Sequence, residues 1–332
     1  ARAGWGHWTF CLQALILLFL SDELINSTSS INQPINASSA RSFYMRRHLN
    51  LQSLLLCFAS LTLVSSAYAQ QDFSNVEIIS HHVAGSVYYL EGRGGNIGLS
   101  IGEDGIVMID DQYAPLTDKI VASIRNLNDG EIRFLINTHV HGDHTGGNEN
   151  LGNRGVLILA RDEVRVRLAE QASEAALPVL TYSEAITIHL NGEEVYAFSV
   201  PPAHTDGDTF IYFKDSDVVH TGDVFRTTAF PVIDTNNGGT LKGTLEALGR
   251  LIGVAGPNTK ILPGHGVVSS RDDVMGFRDM VLDVSGQVAG LLEMNMSYEQ
   301  VAAADPSAAY NAQYGDPDRF LTALFTELGG EL

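Results

Sequence analysis

The stretch Thr138-His139-Val140-His141-Gly142-Asp143-His144-Thr145-Gly146-Gly147 constrains this chain more than any other. It sets three histidines and a carboxylate within six residues, directly behind the apolar run Ile132-Arg133-Phe134-Leu135-Ile136. A strand that ends in a tight, glycine-rich loop delivers several side chains to one point at a sheet edge. Neutral imidazole and carboxylate together suit a borderline cation such as zinc.

The same context, an apolar strand and then a polar loop, recurs three times. Pro201-Pro202-Ala203-His204-Thr205-Asp206-Gly207-Asp208 follows the alternating run 194–200, His220-Thr221-Gly222-Asp223 closes the run 218–220, and Pro263-Gly264-His265-Gly266 follows Lys260-Ile261-Leu262. All four loops sit at C-terminal strand ends, so they can converge on one rim. His139, His141, Asp143, His144, His204, Asp223 and His265 are seven candidate donors. That is too many for one tetrahedral zinc and suits two metals sharing a carboxylate.

The rest of the chain reads as a leader and one domain. From Met45 the sequence runs Met-Arg-Arg-His, an apolar stretch 54–64 and Ala67-Tyr68-Ala69, the pattern of a secretory signal peptide over 45–69. The apolar stretch is shorter than the roughly 20 residues of a membrane span, so no stable anchor is expected after cleavage. Residues 1–44 are expected to lie outside any domain, and 70–332 to form a single domain in a periplasmic or secreted protein. Cys11 and Cys57 are the only cysteines and fall ahead of the expected cleavage point, which leaves neither disulfides nor thiolate ligands in the mature chain. A formal charge of −19 disfavours nucleic acid and anionic membrane surfaces as partners and leaves a small molecule as the expected one.

Beyond residue 71, strands are expected at 76–79, 86–90, 97–101 and 106–110, the last two joined by an Asp-Gly turn. A helix over 115–126 precedes the strand 132–136. Further strands are expected at 156–160, 185–190, 194–200, 209–213, 218–220 and 260–262. Helices are expected from Thr145 and over 161–172, 241–252, 272–292 and 317–328. Two runs of strands with interleaved helices describe an α/β protein with two sheets covered by helices on the outside.

The motif H-x-H-x-D-H, with later His, Asp and His in strand-end loops, resembles the metallo-β-lactamase-fold superfamily over roughly residues 76–290. The resemblance implies a four-layer αββα sandwich with the metal site at the edge between the sheets, two Zn2+ ions, and a hydrolase that uses a metal-bridging hydroxide. By position it implies one metal on His139, His141 and His204, a second on Asp143, His144 and His265, and Asp223 as the bridge. Asp143 and Asp223 then have catalytic roles, Asp143 orienting the nucleophile or shuttling its proton. An all-imidazole first set favours zinc over redox iron.

The reaction expected is β-lactamase-like cleavage of a cyclic amide. The alternatives are an ester, thioester, lactone or phosphodiester hydrolase of the same fold, or a non-catalytic metal-binding protein. Arg226, three residues after Asp223, is the candidate clamp for a substrate carboxylate. Asn236 and Asn237, in the long loop after Asp223, are candidate oxyanion donors. Asp110 and Asp111 are weighed as carboxylates behind a ligand histidine against a capping role. Asp206 and Asp208 are read chiefly as turn residues, with orientation of His204 as the alternative. His220 is expected to be a satisfied core histidine, and His81, His82 and His189 to lie on sheet surfaces.

Overall fold

The computed structural model describes residues 72–331. The expected leader, residues 1–44 and both cysteines lie outside the described residues. Twelve strands form two sheets. The first holds β1 (Ile79–Ala84), β2 (Val87–Glu91), β3 (Ile97–Gly102), β4 (Gly105–Ile109), β5 (Ile132–Ile136), β6 (Leu157–Arg161) and β7 (Leu180–Tyr182), side by side in chain order. Pairing is antiparallel from β1 to β4 and parallel from β4 to β7. The second holds β8 (Ala185–Leu190), β9 (Glu193–Ser199), β10 (Thr209–Phe213), β11 (Val218–His220) and β12 (Lys260–Leu262), of which only β11 and β12 pair in parallel.

Period-two alternation sorts the apolar side chains into layers. In β4, Val107 and Ile109 face the second sheet, while Ile106 and Met108 face the outer helix. In β9, Val195 and Ala197 meet the first sheet, and Phe198 packs outward among the helices. Helix α1 (Thr117–Leu127) covers the first sheet with Ile120, Val121 and Ile124. Four short or medium helices follow in the chain's middle: α2 (Gly142–Thr145), α3 (Asn148–Gly152), α4 (Asp162–Leu168) and α5 (Leu241–Val254). The last of these covers the second sheet with α6 (Arg271–Glu293), joined by α7 (Tyr298–Ala304), α8 (Asn311–Tyr314) and α9 (Asp318–Glu327). Helix α6 opens on a capping box in which Ser270 and Asp273 satisfy each other's backbone amides. The result is the expected four-layer αββα sandwich.

Some local expectations are corrected. The first strand runs over 79–84 instead of 76–79, because Val76 and Ile78 pack as irregular chain on the outer core beside α1. The helix expected from Thr145 is two short ones, the first starting inside the histidine motif at Gly142. The helix expected over 161–172 ends at Leu168, and β7, α7 and α8 were not anticipated. Among the described residues no helix is long and apolar enough to cross a membrane.

The rim where β5, β9, β11 and β12 end is stitched across the two sheets. The amide of Asn96 donates to the Gly264 carbonyl at 2.7 Å and that of Thr209 donates to the Thr138 carbonyl at 3.0 Å, while within the second sheet's side Arg226 pairs with His265 as an isolated bridge.

Candidate metal centre

The four loops bring all seven predicted donors together. Three sets of donor atoms lie within 4.8 Å of one another: His139, His141 and His204; His139, His144 and Asp223; Asp143, His144 and His265. Asp223 reaches both halves. Its Oδ2 is 3.2 Å from His265 Nε2 and 3.8 Å from His204 Nε2, and its Oδ1 is 3.2 Å from His144 Nε2. Asp143 Oδ2 lies 3.3 Å from His265 Nε2 and 3.7 Å from His144 Nε2. His204 Nε2 and His141 Nδ1 are 2.8 Å apart.

Outer partners on each imidazole decide which nitrogen points inward. Asp110, fully buried, accepts the Thr138 amide on Oδ1 at 2.7 Å, and on Oδ2 both the Thr138 hydroxyl and His144 Nδ1–H at 2.7 Å. The Thr138 hydroxyl in turn accepts His139 Nδ1–H at 3.0 Å. One carboxylate therefore turns Nε2 of both His139 and His144 toward the centre. It does so from a left-handed backbone, φ +61°, which a residue other than glycine adopts at a cost of roughly 1–2 kcal/mol. His204 donates Nδ1–H to the Val232 carbonyl at 2.6 Å, and its own amide is held by the Asp208 carboxylate at 2.7 Å. His141 is reversed: Nε2–H donates to Asp234 at 2.7 Å, which presents Nδ1 inward.

Two glycines are required by close approach. A Cβ on Gly95 would overlap the His144 ring, and one on Gly264 would overlap Asp223 Oδ1. The first is fixed from both sides, its amide donating to the Asp143 carbonyl at 3.1 Å and its carbonyl accepting Gln112 Nε2 at 2.7 Å.

Electrostatics divide the cluster. Burial, followed by the neighbouring His144, holds His139 well below the usual imidazole range. Burial likewise pushes His204 down to about 4. Burial also opposes charge on His144, but Asp223 and Asp110 outweigh it and hold that imidazole well above its usual range. Against burial, the His265 hydrogen bond and the charge of His144 hold Asp143 down to about 2. His144 and His265, again against burial, hold Asp223 well below the carboxylate range.

The other predicted residues fall in different places. Arg226 is half-buried and lines a cavity of about 410 Å3, with Thr227, Val267, Tyr310 and Tyr314 among its walls and none of the seven donors. Asn236 is exposed. Asn237 Nδ2 donates one hydrogen to Asp234 at 2.8 Å, and its Oδ1 accepts Arg167 Nη1 at 3.1 Å. Asp206 pairs with Arg167, whereas Asp208 supports the His204 loop. Asp111 accepts the Gly147 amide at 2.8 Å. His220 is a satisfied core histidine, Nε2 against the Asn96 carbonyl at 3.1 Å. Sequence reasoning did not single out Asp234 or Thr138. The only signal for Asp234 was its place in the long loop after Asp223.

The donor set fits a pair of borderline cations. Imidazole and carboxylate are its only donor types, every inward nitrogen is set by an outer partner except that of His265, and His139 Nε2 and Asp223 Oδ1 are buried without a hydrogen-bond partner in the protein. Residues 90–265 match the family model of the metallo-beta-lactamase superfamily. In fold the chain is similar to a metallo-beta-lactamase from Pontibacter korlensis, with a TM-score of 0.55 and 16% identity over 62% of this chain and 100% of that one. It is similar in the same way to the DIM-1 metallo-beta-lactamase, with a TM-score of 0.55 and 15% identity over 62% of this chain and 98% of that one. At such identities the structural likeness is one of fold alone. The sequence match itself spans more than half of the chain and takes in all seven donors, and this chain belongs to the metallo-β-lactamase superfamily.

Proposed function

We propose that this protein is a two-zinc hydrolase whose substrates are cyclic amides of the β-lactam kind, met outside the cytoplasm. Metal-dependent hydrolysis in general follows from the family and the donor clusters. The observation that carries the two-metal reading is the position of Asp223, a single buried carboxylate within 3.2–3.8 Å of histidines from both halves. His139, His141 and His204 would hold one ion, Asp143, His144 and His265 the other, with Asp223 shared.

Bound zinc supplies Lewis acidity toward a carbonyl oxygen and lowers the pKa of water to about 7. The chain's own residues do the rest. Asp143 stays ionised at neutral pH and is partly exposed, so its carboxylate can accept a hydrogen bond from the attacking water and orient it. Asp110, Asp234 and the Val232 carbonyl hold the imidazoles in fixed rotation, which spares reorganisation during turnover. The amide-directed reading draws its support from the expected export leader, whereas Arg226 lines a cavity that holds none of the seven donors. The second reading, hydrolysis of esters, lactones or phosphodiesters, is favoured by a carboxylate at 223 where the commonest β-lactamase subgroup of the fold has cysteine.

The test is metal analysis followed by turnover of a chromogenic cephalosporin, a lactone and a bis-aryl phosphodiester by the purified chain. Two zinc per chain with the cephalosporin turned over fastest is the expected result. Turnover confined to the phosphodiester or lactone overturns the amide assignment, and a stable one-metal form overturns the two-metal one.

A further inference from the structure

A chain of contacts ties the three-histidine set to the protein surface. His141 Nε2 donates to Asp234 Oδ2 at 2.7 Å, and the same oxygen accepts Asn237 Nδ2 at 2.8 Å. Asp234 Oδ1 accepts the backbone amides of Asn236 and Asn237 at 3.1 and 3.3 Å. Asn237 Oδ1 faces Arg167 Nη1 at 3.1 Å. Arg167 also grips Asp206 with two donors, Nε to Oδ1 at 2.7 Å and Nη2 to Oδ2 at 2.5 Å. Asp206 belongs to the loop that carries His204. The two loops are joined besides by the Asp206 amide on the Asn237 carbonyl at 2.9 Å and the Asp234 amide on the His204 carbonyl at 3.0 Å.

One guanidinium therefore spans two loops that each control a histidine of the same set. Its platform is rigid: α4 buries Val164 and Leu168 against Ala160 and Leu177, and Arg165 holds the Pro178 carbonyl. The loops it joins each bring a carboxylate, Asp206 and Asp234, and Gly238 packs closely on the Asp206 side chain. A planar fork with five donors satisfies this arrangement, where a single ammonium point does not.

We propose that Arg167 is a positioning residue that sets the metal affinity of the His139–His141–His204 set without touching it, an inference that rests on the two-zinc reading above. With Arg167 removed, Asn237 and Asp206 lose their common partner, and Asp234 is no longer held at the angle that turns His141 Nδ1 inward. The Asp143–His144–His265 set depends on Asp110 and Asp223 instead, so the effect falls on one metal of the two.

The experiment challenges the zinc-loaded wild type and the Arg167→Ala variant with graded chelator. Released zinc is counted, and the affected site is assigned from the imidazole NMR signals of His141 and His204. In Arg167→Ala one zinc equivalent is expected to leave at roughly tenfold lower chelator, the low end of what outer partners contribute to metal affinity. The other equivalent leaves as in the wild type. Arg167→Lys is expected between the two. Equal shifts of both equivalents, or no shift of either, overturn the inference, since a merely structural residue would not discriminate between sites. A wild type that holds fewer than two zinc overturns the two-metal reading and this inference with it. A two-zinc wild type beside an insensitive Arg167→Ala overturns this inference alone. Should Arg167→Ala fail to fold, Asp206→Asn carries the same expectation of one selectively weakened equivalent.

Discussion

His141 and His144 stand three positions apart on one short segment, yet they are held in opposite ways. His144 is fully buried between Asp110 and Asp223, and its outer partner, Asp110, is a fully buried carboxylate. His141 is partly exposed, and its outer partner sits on a surface loop latched by Asn237 and Arg167. The first arrangement belongs to the fold, because Asp110 ends a central strand and also holds the turn at Thr138. The second belongs to the rim. Metal sites of one centre can thus differ in how far their affinity is coupled to global stability.

The strongest way to break this contrast is Asp110→Ala. It strands the Thr138 amide, the Thr138 hydroxyl and His144 Nδ1 in the interior, and the expected loss is about 3–5 kcal/mol in denaturant unfolding of the zinc-free protein. A loss below about 1 kcal/mol would erase the distinction between fold-borne and rim-borne ligands. Asp234→Ala should do the reverse. Metal affinity of the three-histidine set is expected to fall about 10–100-fold in chelator competition, with unfolding free energy changed by no more than about 1 kcal/mol because the carboxylate is only partly buried.

Acidity sharpens the same comparison in the zinc-free protein. His204, pushed down to about 4 from 6.5 by burial, contributes stability that is complete above the unfolded value and is lost as pH falls from about 6.5 toward 4. His144, raised despite its burial by Asp223 and Asp110, has the opposite sign: its contribution is complete below 6.5 and is lost as pH rises through its raised value. Imidazole nitrogen NMR at pH 7 should show His204 neutral and His144 protonated. A protonated His204 at that pH would contradict the burial argument. The smallest effect is expected from Asn236→Ala, an exposed side chain, with stability within about 0.5 kcal/mol and unchanged turnover. A tenfold fall in kcat would instead mark it as an oxyanion donor.

Most of the centre was legible in the sequence because ligands follow strands, and strands announce themselves by apolar runs. The strands 132–136, 185–190, 209–213, 218–220 and 260–262 stand where the pattern places them, and the donors of the loops after 132–136, 193–199, 218–220 and 260–262 converge. The partners behind the ligands were harder to see. Asp110 lies at a strand end near the motif and could be weighed, whereas Asp234 reaches His141 across 93 positions of chain from an irregular loop with no periodicity. Arg167 falls within the helix expected over 161–172, and nothing local in the sequence distinguishes it from Arg165. Three-residue β7 is too short to show a period, and the apolar run 76–79 draws the expected first strand ahead of β1.

The seating of Gly95 on His144 and of Gly264 on Asp223 has a consequence for how this protein can change. Backbone lies flush against the donors at those two points, so the neighbouring loops cannot be remodelled there without displacing the centre. A laboratory selection for new substrates would therefore have to leave both points as they are. Diversification of the rim is channelled by two missing methyl groups.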